Sequence, residues 1–148
     1  MLVSDVKDLT RERNVKMARS LLHFMEQKKF EEFTDLFAEN GKWIHPYHSG
    51  IFPSEIIGKK DIFESIKNAA SRFSDVRFPV EEVLTSKDSS KVAVKHSGKL
   101  KLKDGSGYYE NDYLGIFTFN EEGKIVEWSE YYNPIKSAKV FGLMDKIC

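Results

Sequence analysis

The chain opens on a helical period. Val15, Ala18, Leu22 and Met25 recur at i, i+3, i+7 and i+10, with Met17, Leu21 and Phe24 beside them, while Arg, Lys and Glu fill the opposite face. This spacing predicts a long amphipathic helix over 10–28. Phe30, Phe33, Leu36 and Phe37 form a second, shorter apolar stripe ending at Asn40-Gly41, where glycine accepts a left-handed cap without steric cost. A third run, through Ile62, Phe63, Ile66, Ala69, Ala70 and Phe73, opens after Gly58. The last helical turn has Asn133 as N-cap, Pro134 at its first position and Gly142 as its stop.

Elsewhere the period changes to two. Val92, Val94, His96, Gly98, Leu100 and Leu102 alternate with lysines in a half-buried strand whose outer face is basic. Asp104-Gly105-Ser106-Gly107 is a turn, followed by a strand over Tyr108 to Phe119, a loop at Asn120-Glu121-Glu122-Gly123 and a strand from Lys124 to Tyr132. Single strands are expected near Trp43–Tyr47 and Val76–Thr85. Helices first and an antiparallel meander later define an α+β fold, a curved sheet with helices on one face. No linker or repeat divides the chain, so residues 1–148 are expected to form one domain.

Charge adds to the strand order. Residues 87–103 hold six lysines against Asp88 alone, whereas 108–133 hold Glu110, Asp112, Glu121, Glu122, Glu127 and Glu130 against Lys124. Opposite-sign neighbours select register at about 0.2–1 kcal/mol per cross-strand pair. The whole chain has 23 basic and 23 acidic residues. Such neutrality, with no aromatic and arginine cluster, argues against a nucleic-acid partner. No apolar run is long enough to cross a bilayer, and the N-terminal segment lacks the features of a secretory signal. Cys148 is the sole cysteine, which excludes an intramolecular disulfide and suits a cytoplasmic protein. Walker, dinucleotide-binding, nucleophile-elbow, zincin and EF-hand patterns are missing, so no cofactor is expected. His45 and His48 are spaced as a metal pair would be but lack partners nearby in sequence, and no metal is expected.

Candidate chemistry gathers in the last hairpin. With a four-residue loop, Phe119 faces Lys124, Phe117 faces Val126, Gly115 faces Trp128 and Tyr113 faces Glu130. One surface then holds Tyr109, Tyr113, Phe117, Val126, Trp128, Glu130 and Tyr132, with Leu114, Ile116, Ile125 and Tyr131 facing outward. A three-residue loop closed by Gly123 would reverse Trp128 and Glu130. The first register clusters the apolar residues and is preferred. On that surface Glu130 is a carboxyl among aromatic rings, where burial raises its pKa toward that of a general acid or base. Tyr109 or Tyr113 could donate O–H to a developing oxyanion. The competing reading makes Glu130 a structural polar partner of a tyrosine or indole. Trp43, His45 and Tyr47 alternate on one strand and point the same way. If that way is inward, His45 becomes a second acid/base candidate. His96, on the apolar face of its strand, fits a satisfied core histidine.

Leu36-Phe37-Ala38-Glu39-Asn40-Gly41-Lys42-Trp43, Gly58-Lys59-Lys60-Asp61-Ile62, Tyr108-Tyr109-Glu110-Asn111, Glu122-Gly123-Lys124-Ile125 and Glu130-Tyr131-Tyr132-Asn133-Pro134 occur in this order. In them the chain resembles the SnoaL-like polyketide cyclases and, more closely, the phenazine-biosynthesis A/B proteins of the nuclear-transport-factor-2-like superfamily. The resemblance implies a cone-shaped half-barrel, a strongly curved antiparallel sheet with three helices on its concave side around an apolar pocket. It also implies a homodimer through the outer sheet face. By the same resemblance Glu130 is the acid/base residue and Tyr109 lines the pocket. Ser65 stands where the phenazine-type proteins carry a pocket histidine, and Ala69 where they carry a serine. Together these readings describe a small-molecule enzyme of cofactor-independent acid/base chemistry that isomerises, cyclises or condenses a small apolar or aromatic carbonyl compound. Glu130 and His45 are its catalytic candidates, and Tyr109, Tyr113, Trp43, Trp128 and Tyr132 its binding candidates. The alternative is a non-catalytic ligand-binding or dimerising module of the same fold.

Overall fold

A computed structural model describes the backbone of residues 3–146 and the side chains of 8–146. Cys148 lies outside the described residues. The elements are helix α1 (Val3–Glu26), helix α2 (Phe30–Asp35), strand β1 (Phe37–Ile44), strand β2 (Glu55–Ile57) and helix α3 (Lys59–Ala70). Strands β3 (Phe73–Arg77), β4 (Val80–Thr85), β5 (Lys91–Leu102), β6 (Tyr108–Phe119) and β7 (Ile125–Tyr132) follow, then helix α4 (Pro134–Val140) and a short 3-10 turn over Met144–Lys146.

The fold is α+β. One curled sheet has the order β2-β1-β7-β6-β5-β3, with β4 also paired to β5. β3 takes the C-terminal part of β5 and β4 its N-terminal part. The β1–β7 pair is parallel and the others antiparallel, so the sheet is mixed rather than wholly antiparallel. The half-barrel carries four helices rather than three, since α4 packs Ser137 and Ala138 into the interior. The core joins Ala18, Leu21 and Leu22 of α1 to Phe33, Ile62 and the inward residues of β5, β6 and β7.

Several element boundaries follow competition between local pattern and sheet pairing. Lys28 takes φ 58°, which closes the first helical segment after α1. The second stripe stops at Asp35, because Phe37 enters the sheet opposite Ile125. Asn40-Gly41 therefore lies inside β1, not at a helix cap. Gly41 is required there by close approach, since a Cβ would stand 3.0 Å from the carbonyl oxygens of both Ala38 and Ile125. Phe73 starts β3 instead of continuing α3. Phe78-Pro79 splits the expected strand over 76–85 in two, because proline cannot donate to a ladder. The C-terminal helix matches its sequence signals: the Asn133 side chain accepts from the Ile135 amide, and Gly142 takes φ 69°.

The hairpin keeps the expected faces except at Ile125 and Val126, and it does not keep the expected pairs. Phe119 faces Ile125, Phe117 faces Trp128, Gly115 faces Glu130 and Tyr113 faces Tyr132. A register shift between Thr118 and Phe119 leaves Val126 unpaired. One extra residue on one strand reverses side-chain parity across it. Ile125, expected outside, is accordingly fully buried, while Trp128 and Glu130 remain inside. Along β5 the lysines stay outside, and Lys99 reaches Glu110 at 4.0 Å.

Glycines on the concave side make room for rings. At Gly98 a Cβ would lie 2.7 Å from the Tyr113 ring and 3.0 Å from Phe78; at Gly115 it would lie 2.9 Å from Trp128 Nε1. Gly98→Ala is expected to cost about 1–3 kcal/mol by overpacking, measured by urea unfolding with an unchanged slope. A loss under about 0.5 kcal/mol would mean that Tyr113 is not held against this backbone.

Candidate active site

Parallel pairing of β1 with β7 assembles the site. Trp43 lies opposite Trp128 and Ile44 opposite Ser129, so the next position brings His45 to the level of Glu130. Trp43 stacks on Trp128 with centroids 5.0 Å apart and planes 6° apart, and Trp128 stacks in turn on Phe117 at 5.6 Å and 8°. From this stack Trp43 Nε1 donates to Glu130 Oε1 at 3.3 Å. His45 Nε2 lies 3.7 Å from the same oxygen. His45 Nδ1 and Trp128 Nε1 are buried without a hydrogen-bond partner.

These groups face a cavity of about 170 Å³. Trp43, His45, Tyr109, Tyr113, Glu130 and Tyr132 line it from the sheet, Ala69 and Ala70 from α3, and Ser137 from α4. Phe52 of the β1–β2 connection and Phe141 complete the wall, their rings 6.2 Å apart. No lysine or arginine lines it among the described residues.

Two candidates sit elsewhere. Trp128 lies behind Trp43, outside the cavity lining, because the inter-ring stack interposes Trp43. Tyr47 does not continue the inward alternation. Pro46 and Tyr47 form a turn past the end of β1, and Tyr47 is exposed with its ring 5.4 Å from Tyr131. His48 is in the same connection, its Nδ1 accepting from the Gly50 amide at 2.9 Å. His96 is buried outside the cavity lining, stacked on Tyr113 at 4.8 Å, with Nδ1 2.9 Å from the Ser97 carbonyl oxygen. Ser65 is absent from the lining, whereas Ala69 belongs to it.

A hydroxyl cluster adjoins the carboxyl. The Tyr113 hydroxyl donates to the Tyr109 oxygen at 3.2 Å, and Tyr109 shares a 2.6 Å hydrogen bond with Ser137 Oγ. Asn111 Nδ2 donates to the Tyr109 oxygen at 2.7 Å. Asn111 and Ser137 were not among the sequence candidates. Period two alone puts Asn111 between Tyr109 and Tyr113 on the inward face. Ser137 carries no such signal, because a serine in a seven-residue helix has no distinguishing pattern.

Burial governs the site's protonation. It raises the Glu130 pKa to about 8, and the Trp43 hydrogen bond pulls only partly back. Burial lowers His45 to about 4. Tyr109 is raised by burial and Tyr113 well above its ordinary range by the same cause. Although Glu130 and His45 lie within ion-pair range, their proton rests on the carboxyl at neutral pH. A buried zwitterion at 3.7 Å, with one histidine nitrogen unpartnered, does not recover its desolvation cost.

Residues 18–128 match the SnoaL-like domain family, and the chain belongs to that family. The matched span stops short of Glu130. Over 124 residues the chain is 26% identical to the uncharacterized protein YesE of Bacillus subtilis (strain 168), covering 84% of each sequence. A Bacillus subtilis crystal structure described provisionally as an isomerase superposes with a TM-score of 0.79 at 24% identity, over 90% of this chain and 96% of that one. The phenazine biosynthesis-related protein PhzB2 of Pseudomonas aeruginosa gives 0.76 at 22% identity, over 90% and 83%. These similarities show a nuclear-transport-factor-2-like fold.

The raised carboxyl fixes the sign of a pH effect. Protonated Glu130 favours the folded state fully below the unfolded pKa of about 4.5, and this contribution is lost as pH climbs toward about 8. Depressed His45 acts in the opposite window, losing stability as pH falls from about 6.5 toward about 4. Between pH 4 and pH 8, Glu130→Gln is therefore expected to gain about 4 kcal/mol relative to the unmutated protein, read from paired denaturant curves across pH. Parallel pH profiles would place the Glu130 carboxyl in water.

Proposed function

We propose that the protein binds a small, uncharged carbonyl compound and moves a proton on it without a cofactor, in an isomerisation, cyclisation or condensation. The supporting observation is the Glu130 carboxyl, buried at an apolar cavity with a pKa raised to about 8. A carboxyl at that value exists in both forms near neutral pH: the ionised form takes a proton from carbon and the protonated form returns it. The His45 imidazole, kept neutral by burial with Nε2 3.7 Å from the same oxygen, positions the carboxyl and the ligand beside it while Glu130 carries the proton. A tyrosine hydroxyl of the Tyr109–Tyr113 pair donates to the substrate oxygen as charge develops there. Trp43 and Tyr132 wall the space, and Trp128 supports Trp43 from behind. Among the described residues the lining offers no lysine or arginine to pair with a carboxylate or phosphate, which favours uncharged substrates.

A homodimer through the outer sheet face accompanies this proposal. That face exposes Leu114, keeps Ile116 and Tyr131 half-buried and sets Tyr47 against Tyr131. Ile125 contributes nothing to it, being fully buried.

Two measurements test these readings. 2-Tetralone is an uncharged bicyclic ketone with acidic α-protons, whose deuterium exchange in D2O is followed by NMR. Exchange above the hydroxide background is expected to rise about tenfold between pH 7 and pH 9, as Glu130 ionises, and to fall about 100-fold or more in Glu130→Gln. Bound ketone with equal exchange in both proteins would make the cavity a binding module. For the dimer, sedimentation is expected to give twice the chain mass, and Leu114→Glu the chain mass alone; a monomer in both cases removes the interface.

A further inference from the structure

The polar network behind the cavity distinguishes between the two tyrosines. Asn111 is buried, and backbone groups fix the orientation of its amide. The Asp112 and Asn133 amides both donate to Oδ1, at 2.9 and 3.1 Å, while the Asn133 carbonyl accepts from Nδ2 at 3.0 Å. A flipped amide would oppose donors to donors and an acceptor to an acceptor, so Nδ2 must point toward Tyr109. Its second hydrogen meets the Tyr109 oxygen at 2.7 Å, with Ser137 Oγ further off at 3.4 Å. The Tyr109 oxygen also accepts from Tyr113, so its own proton is directed to Ser137 Oγ. Both lone pairs and the proton of Tyr109 are thereby committed away from the cavity. Tyr113 has only its O–H donation at 3.2 Å, the longest of the cluster's bonds to the Tyr109 oxygen.

Resting on the proposed function above, we infer that Asn111 is a positioning residue that makes Tyr109 an internal acceptor and leaves the Tyr113 hydroxyl as the donor to a ligand's oxygen. The backbone of β6 and of the α4 N-cap sets the amide, the amide sets Tyr109, and Tyr109 holds Tyr113 at the cavity until a carbonyl oxygen offers a better acceptor. The directions of the shifts agree. Burial raises both hydroxyls, but the hydrogen bonds that Tyr109 accepts from Tyr113 and Asn111 ease its ionisation, whereas the bond to Tyr109 hinders that of Tyr113. Glu130, Tyr132 and His96 are the other titratable groups facing the pair.

The test needs no natural substrate. In full-length protein with 13Cζ-labelled tyrosine, NMR titration is expected to show Tyr109 ionising before Tyr113, and Asn111→Leu to raise the Tyr109 midpoint by about one pH unit or more. Asn111→Asp keeps the shape and serves if the leucine variant does not fold. At the alkaline pH of the titration its carboxyl is ionised and can donate to neither partner, so the Tyr109 midpoint rises in this variant too. With 2-tetralone bound, the carbonyl infrared stretch is expected to move to higher frequency in Tyr113→Phe and to stay in place in Tyr109→Phe. A lower melting temperature in the Asn111 variants with an unmoved Tyr109 midpoint would overturn the inference, leaving Asn111 as a structural tie. Reversed infrared behaviour of the two phenylalanine variants would also overturn it. Neither readout depends on proton transfer by Glu130, so unchanged exchange in Glu130→Gln defeats only the proposed function.

Discussion

A single unpaired residue sets the interior of this protein. Side-chain direction in a strand has period two, so without the irregularity at Val126 the buried Ile125 and the buried Trp128 could not share a face. The parallel neighbour has a larger register shift of its own, between Phe37 and Lys42, where Gly41 allows close backbone approach. Beyond both shifts the strands run in step. Trp43 then meets Trp128 face to face, and His45 reaches the level of Glu130. Cavity, aromatic stack and buried carboxyl all descend from that shared register.

The carboxyl is costly to bury. Among the described residues its hydrogen bond comes from an indole N–H at 3.3 Å, weak compensation for lost hydration, so the group retains its proton instead. The surroundings bear this cost: stacked rings fill the space beneath, and glycines at 98 and 115 let those rings lie against the sheet. A fold seeking stability alone would place leucine here. An acid retained where it is expensive marks a candidate functional site.

Much of this was legible in the sequence because periodicity records burial. The inward set Tyr109, Tyr113, Phe117, Trp128, Glu130 and Tyr132 followed from alternation and apolar clustering, and the family-like motifs gave the cone. Pairing was less legible. The bulge has no signature in Glu122-Gly123-Lys124-Ile125-Val126, so the cross-strand partners, the outward place of Ile125 and the inward place of Val126 were misread. Nor does local pattern disclose that β1 pairs in parallel with a strand more than eighty positions away. Phe37 and Phe73 fitted helical stripes as well as strands, and sheet pairing decided between them. Asn111 was quoted in a motif, but its role depends on Asn133 and Ser137, which only the tertiary fold brings near.

The separation of the site's halves along the chain has a kinetic side. Trp43 and Glu130 are 87 positions apart, whereas β5, β6 and β7 are joined by short turns. Loop closure between distant segments costs entropy before any contact repays it, so the meander is favoured to form first and the β1–β7 seam later. Contacts made after the rate-limiting step leave the folding rate nearly unchanged and mainly alter how fast the native state is lost. The candidate site thus lies on a seam expected to form late, where substitutions would retune the cavity while leaving the folding rate nearly unchanged.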